Sequence, residues 1–246
     1  MRKENRLVSR KGLGLGWMIA SILLGCCIGN AFAAPANSPV LLLGDSMMKL
    51  PSLAIERELA KTQPSVKAIS FATIGTGLAR LDAFDWLGKI DELCAQEHPK
   101  MAVVALGAND RQPMQLPSGG IVALGSPEWK TEYTHRIGEA MDRLIAGGCE
   151  QVVWLLLPPM RDTIVSEHAQ QVNEILKEAA ASRPGVRVYD FSSLVADRRT
   201  GGYTEHLMDP KTAAAIRVRD PDGIHLTPDG ARRLATALIK EFWATP

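Results

Sequence analysis

Three short stretches hold side chains suited to covalent chemistry. They are Gly44-Asp45-Ser46 behind an apolar run, Gly107-Ala108-Asn109-Asp110 behind another, and Asp222-Gly223-Ile224-His225 just ahead of the final helical pattern. A serine hydroxyl becomes a nucleophile when a base takes its proton, and an imidazole serves as that base when a carboxylate orients it. Ser46 supplies the hydroxyl, His225 the imidazole, and Asp222 the carboxylate, with Asp220 as the reserve acid. The Asn109 amide and the backbone N–H groups of Ser46 and Gly77 are candidate donors to an oxyanion, where one aligned donor is worth about 3–4 kcal/mol. Gly75 competes with Gly77 for that place. Each piece also has a plain structural reading: Ser46 as a helix N-cap, Asn109 as a turn residue, and Asp222–His225 as a polar turn. Asp45 reads as a turn-former rather than a catalytic acid.

The elements that must position these side chains alternate between two periods. Apolar strand-like runs cover residues 40–43, 66–71, 101–106, 151–157 and 186–189, and helical spacing covers 50–61, 84–96, 128–146, 165–181 and 228–242. That alternation predicts a parallel sheet with helices on both faces. The run at 101–106 has no polar residue, as a strand covered on both faces requires. Thr227 followed by Pro228 gives the last helix an N-cap and a favoured first residue. Residues 112–126 form the one long irregular insertion and are expected to loop over the site, and residues 197–202 form a polar turn. In open parallel sheets ligands bind beyond the carboxyl ends of the strands. Gly44-Asp45-Ser46, Gly75-Thr76-Gly77 and Gly107–Asp110 all follow strand ends, so the order gathers them at one rim.

Composition narrows the partners. Residues 1–11 carry five basic side chains against one acidic one, residues 13–28 are apolar, and Ala31-Phe32-Ala33 is a small-x-small cleavage pattern. Residues 1–33 therefore read as a signal peptide, with a periplasmic or secreted location. An N-terminal membrane anchor is the alternative if that segment is not cleaved. The remaining chain, residues 34–246, suffices for one α/β domain, is slightly acidic, and gives no reason to expect nucleic acid or a stable membrane span. It keeps Cys94 and Cys149, each just ahead of an apolar strand, and an exported pair of this kind is a candidate disulfide. His98, His135, His168 and His206 show no ligand spacing, and the chain lacks H-E-x-x-H, paired C-x-x-C, a phosphate loop and a full dinucleotide fingerprint. Neither a metal nor a cofactor is expected. Arg111 and Arg161 follow strand ends near the rim. They are candidates to bind an anionic or sugar substrate, the alternative being solvated or ion-paired arginines.

Taken in order, these blocks resemble those of the SGNH hydrolases, the superfamily that includes the GDSL esterases: Gly44-Asp45-Ser46, Gly77, Gly107-Ala108-Asn109-Asp110 and Asp222-Gly223-Ile224-His225. Thr76-Gly77-Leu78-Ala79-Arg80 with Phe84-Asp85-Trp86, Gly125-Ser126-Pro127-Glu128-Trp129 and Pro158-Pro159-Met160-Arg161 extend the resemblance to an exported bacterial branch. One departure is Met47-Met48 after the serine, where the pattern has leucine. The resemblance implies a three-layer α/β/α sandwich with a five-stranded parallel sheet in order 2-1-3-4-5. It also implies Ser46 as nucleophile, His225 as base held by Asp222, and an oxyanion hole of Ser46, Gly77 and Asn109. The activity it implies is an esterase removing small O-acyl groups, acetyl first, from an acylated small molecule or cell-envelope glycan. An O-acyltransferase on the same serine and a non-catalytic glycan-binding module are the alternatives, since a fold does not fix a function. A histidine base must be neutral to accept the serine proton, so activity is expected to fall on the acid side of the free imidazole range, around 6–7.

Overall fold

The computed structural model describes residue 34, residues 38–209 and residues 212–243 of the chain. The expected signal peptide lies outside the described residues. In chain order, β1 (Val40–Gly44) runs into α1 (Ser46–Thr62), followed by β2 (Ala68–Ala72), α2 (Trp86–Glu97) and β3 (Met101–Ala105). A small antiparallel hairpin, β4 (Met114–Gln115) with β5 (Ile121–Val122), precedes α3 (Pro127–Ala146). Next come β6 (Gln151–Leu155), α4 (Thr163–Ala181) and β7 (Val186–Tyr189). A second hairpin, β8 (His206–Met208) with β9 (Ala215–Arg217), leads into α5 (Pro228–Phe242).

The central sheet is parallel, with strands in the order β2-β1-β3-β6-β7. With the two hairpins set aside this is the expected 2-1-3-4-5. Burial follows position in the sheet. Every residue of β1 and β3 is buried, whereas the edge strands β2 and β7 are only partly covered. Central strands roofed on both faces have to be apolar throughout, and this is why Leu41, Leu42, Val103 and Val104 follow one another without alternation. One helical layer pairs α1 with α5, and the other packs α2, α3 and α4 in series. The two methionines that stand where leucine was expected, Met47 and Met48, are both buried in the core. An unbranched thioether adapts to such a gap without strain.

Two expectations change. α1 starts at Ser46 rather than at residue 50 and carries Pro51 inside it. The cause is Asp45, whose carboxylate accepts the Met47 N–H at 2.7 Å and caps the helix four residues earlier than apolar periodicity suggests. The insertion 112–126 is not wholly irregular, because Met114 and Gln115 pair with Val122 and Ile121. Cys94 and Cys149 are buried free thiols within hydrogen-bonding reach of each other, beside the neighbouring strands β3 and β6.

Candidate active site

The sheet register brings the parts together. Gly44 is level with Ala72 of β2 and with Ala105 of β3, so the three strands end on one line. Beyond that line stand Ser46, the 73–77 turn and Asn109. Because Asp45 takes the N-cap position, Ser46 becomes the first residue of α1, and its hydroxyl is not spent on capping. Its backbone N–H sits at the positive end of a 17-residue helix.

The fourth part arrives from the far end of the chain. Residues 219–226 form a closed turn: Arg219 and Leu226 bridge antiparallel, the Asp220 N–H donates to the His225 carbonyl at 2.9 Å, and the Gly223 N–H donates to the Asp220 carbonyl at 3.0 Å. Gly223 has φ +79°, and a Cβ there would lie 2.4 Å from the Arg161 Cβ, so the turn accepts no side chain at that position. Within it the Asp222 Oδ1 accepts the N–H groups of Ile224 (2.8 Å) and His225 (3.0 Å), while Oδ2 meets the His225 Nδ1 at 2.5 Å. The other ring nitrogen, Nε2, lies 2.7 Å from the Ser46 Oγ. Hydroxyl, imidazole and carboxylate thus form one continuous hydrogen-bonded chain across 179 residues of sequence. Partial burial pushes the Asp222 carboxyl up, but the bond to His225 and the two backbone donors outweigh it and hold the group at about 2.

The oxyanion side is built from the 73–80 segment and the β3 exit. The Asn109 amide donates to the Thr76 carbonyl at 2.9 Å, which ties the two together and leaves its second hydrogen. Gly77 is buried and extended, and a Cβ on it would lie 2.1 Å from the Asp110 Oδ1. Neither the Gly77 N–H nor the Ser46 N–H has a hydrogen-bond partner among the described residues. Gly75, by contrast, is exposed with φ +74° and open space around it. Under this turn Asp110 is fully buried. It accepts the Tyr133 hydroxyl at 2.6 Å and the Ala79 N–H at 2.8 Å. Arg136 completes the cradle, donating to the Leu78 and Ala79 carbonyls at 3.0 and 3.1 Å.

Two buried carboxyl groups therefore lie behind Ser46. Burial raises Asp45 to about 7, the charge of Asp110 adds to the shift, and the Met47 N–H and the amides of Gly107 and Ala108 oppose it. Burial also raises Asp110, against the Tyr133 and Ala79 donors. Asp45 is the turn-former expected from the sequence, but the complete burial of both carboxyl groups was not expected. The signal for Asp110 was its place directly after Asn109 at the end of an all-apolar strand.

The cleft beside Ser46 has a volume of about 220 Å³ and is walled by Met47, Leu50, Pro51, Ile74 and Leu226, with Lys49, Asp220 and His225 at its edge. The reserve acid Asp220 thus borders the cleft, while Asp222 makes the bond to the imidazole. Arg111 is exposed, and its charge, after burial, helps lower His168 to about 4. Arg161 is engaged with protein: it donates to the Pro221 carbonyl, and to the Tyr203 hydroxyl at 2.9 Å. Among the described residues no group of three His, Cys, Asp or Glu side chains is arranged to hold a metal ion, and no helix is long and apolar enough to cross a membrane.

Solved structures of similar fold carry the same architecture. A candidate SGNH hydrolase from Slackia heliotrinireducens is 19% identical, with a TM-score of 0.53 over 84% of this chain and 99% of that one. A member of the lipolytic G-D-S-L family from Veillonella parvula is 15% identical, with a TM-score of 0.54 over 84% of this chain and 99% of that one. The lipase Lip_vut3 from a goat rumen metagenome is 15% identical, with a TM-score of 0.51 over 83% of this chain and 97% of that one. At these identities the likeness establishes the SGNH fold. No curated protein matches the chain. Residues 39–241 match the family described as "Protein of unknown function (DUF459)". Since that match runs from just before β1 almost to the end of α5 and takes in every block of the site, the chain belongs to the DUF459 family and has the SGNH hydrolase fold.

Proposed function

We propose that this protein is an exported serine esterase that removes small O-acyl groups, acetyl first, from a cell-envelope carbohydrate. The observation that carries the reading is the unbroken path from Ser46 Oγ through His225 to Asp222, at 2.7 and 2.5 Å. In the forward step the Ser46 Oγ attacks the ester carbonyl while its proton passes to the His225 Nε2. The tetrahedral oxyanion is stabilised by the Ser46 N–H, the Gly77 N–H and the free hydrogen of the Asn109 amide. The C–O bond to the alcohol then breaks, and the alcohol leaves with the proton from Nε2. Water repeats the sequence on the acyl-enzyme and releases the acid.

The apolar walls and the roughly 220 Å³ of the cleft support a short acyl chain over a long one. The export signal in the first 33 residues supports an envelope substrate. Release of p-nitrophenol from its acetate by wild type, lost by a factor of at least about 10³ in Ser46→Ala, tests the chemistry. Equal rates in the two proteins would remove Ser46 from the mechanism. The same acyl-enzyme can pass its acyl group to a sugar hydroxyl, so products from acetylated xylan and peptidoglycan, with and without a free glycan acceptor, separate hydrolysis from transfer.

A further inference from the structure

Behind the turn that carries Asp222 and His225 stands a buried arginine with no role in the chemistry just described. Arg219 is completely buried. Its guanidinium donates to the Pro159 carbonyl at 2.8 Å and to the Ile224 carbonyl at 2.8 Å, makes a longer contact with the Gly223 carbonyl at 3.4 Å, and touches the Met160 sulfur at 3.3 Å. Its Nε is buried without a partner. Burial lowers its pKa to about 10, with the nearby Tyr203 and Asp222 opposing the shift. A charge held this way costs folding free energy and is hard to explain as packing alone, since an apolar side chain of similar volume would avoid the cost. An apolar side chain would not, however, supply a rigid fork of donors able to join two separate segments.

The segments it joins are the ones that matter. Pro159 and Met160 belong to the exit of β6, and Gly223 and Ile224 belong to the turn between the acid and the base. A second arginine works from outside. Arg161 gives its own N–H to the Gly223 carbonyl at 3.0 Å and its guanidinium to the Pro221 carbonyl and the Tyr203 hydroxyl. Both guanidinium groups lie over the Tyr203 ring, at 5.3 Å for Arg161 and 5.2 Å for Arg219. Glu205, which pairs with Arg161 at 3.6 Å and Arg217 at 2.7 Å, balances charge at the outer edge. Four consecutive residues of the turn, 221 to 224, are thus held through their carbonyls or by the carboxylate of Asp222 itself.

We infer that Arg219, Tyr203 and Arg161 form a clamp that sets the position of Asp222 and His225 relative to Ser46, and that these three are positioning residues for the reaction. The inference rests on the esterase reading for its kinetic consequence but not for its geometry. The turn lies outside the central sheet, between β9 and the start of α5, whereas Ser46 follows β1 directly as the first residue of α1. The serine–imidazole distance is therefore not set by the register of the central sheet.

The test uses three variants of the full chain. Arg161→Met keeps the alkyl stem and sits at the exposed end, and Tyr203→Leu removes the shared ring. Arg219→Ala opens a guanidinium-sized space. We expect Arg161→Met and Tyr203→Leu to lower kcat on p-nitrophenyl acetate by about tenfold to a hundredfold with KM changed less than about twofold, as a misplacement near 1 Å does. Arg219→Ala is expected to lose more and to recover part of its rate with millimolar guanidinium, which a purely structural loss would not do. The downfield His225 Nδ1 proton resonance, strong when the ring is bonded to Asp222, should broaden in all three. Wild-type kcat and an unchanged resonance in Arg161→Met and Tyr203→Leu would overturn the clamp, whether or not Arg219→Ala folds. A wild type that never reacts with a fluorophosphonate at Ser46 would instead overturn the esterase reading, and the resonance would still decide the clamp.

Discussion

Asp45 shows how a neighbour of Ser46 can govern stability through its own titration. Folded, it keeps its proton up to about 7, whereas in an unfolded chain it ionises near 3.8. Between these pH values the folded state holds more protons, so this group's contribution falls as pH rises from about 4 to about 7. The shift corresponds to roughly 4 kcal/mol. Asp45→Asn retains a side-chain oxygen to cap Met47 and cannot ionise, so its urea-unfolding free energy relative to wild type should climb over that window. Parallel curves from pH 4 to pH 8 would show that Asp45 does not titrate there. Asp222 behaves in the opposite way. Held at about 2, it stays charged over any working pH, and its loss of charge contributes nothing to an activity profile between 4 and 9. In the proposed mechanism its part is to keep one imidazole nitrogen protonated and aimed. Asp222→Asn should therefore lower kcat by about 10³–10⁴ with little change in KM, and a loss below tenfold would mean that another acid holds the ring.

At the scale of elements, the turn proposed to bind the oxyanion is positioned by the end of β3 and by α3. Asn109 bonds the Thr76 carbonyl, Asp110 accepts the Ala79 N–H, and Arg136 from α3 reaches the Leu78 and Ala79 carbonyls. Gly77 then has no room for a side chain, because its missing Cβ would overlap the Asp110 carboxylate. Gly77→Ala must displace either the turn or the buried acid, and the expected result is a kcat loss of about 10² or more together with lowered thermal stability. Gly75→Ala strains a positive φ but meets no neighbour, and so costs mainly backbone energy. If Gly75→Ala abolishes acyl transfer while Gly77→Ala spares it, the donor assignment should be exchanged between them. Asn109→Ala removes a donor and also unties the turn, so it should lower kcat by about 10²–10³.

For the whole molecule, Cys94 of α2 and Cys149 just ahead of β6 meet near the end of the sheet opposite the site. The two thiols face each other in the core, where their contact raises Cys149 well above the usual thiol range and lowers Cys94, and both are buried rather than displayed on the surface. In an oxidising compartment the pair is expected to close, linking α2 to the start of β6. Non-reducing peptide mapping should find the Cys94–Cys149 peptide, and its reduction should lower stability by about 2–4 kcal/mol. Free thiols in protein recovered from the envelope would refute this. A larger groove, about 630 Å³ between α3 and α4, contains none of the triad, and its arginines are already paired with Glu139 and Asp142. Chemistry rather than cleft size marks the site.

The architecture was legible in residue order because a strand buried on both faces must be uniformly apolar, and because Gly-Asp-Ser and Gly-Ala-Asn-Asp stand directly at strand ends where the topology makes a rim. The five parallel strands and the rim placement of Ser46 and Asn109 could be read from local pattern, whereas the strand order came only with the resemblance of the four blocks to the SGNH hydrolases. What the pattern could not reveal was everything set by distant neighbours: that Asp45 rather than Ser46 would cap α1, that Asp110 would be buried against Gly77, and that Arg161 would be drawn into the Asp222 turn instead of facing the cleft. Nor could it reveal the small hairpins, whose two- and three-residue strands are too short to show a period. Side-chain type and spacing report on a residue's own element, whereas burial, charge coupling and the 2.7 Å between residues 46 and 225 exist only after the chain has closed on itself.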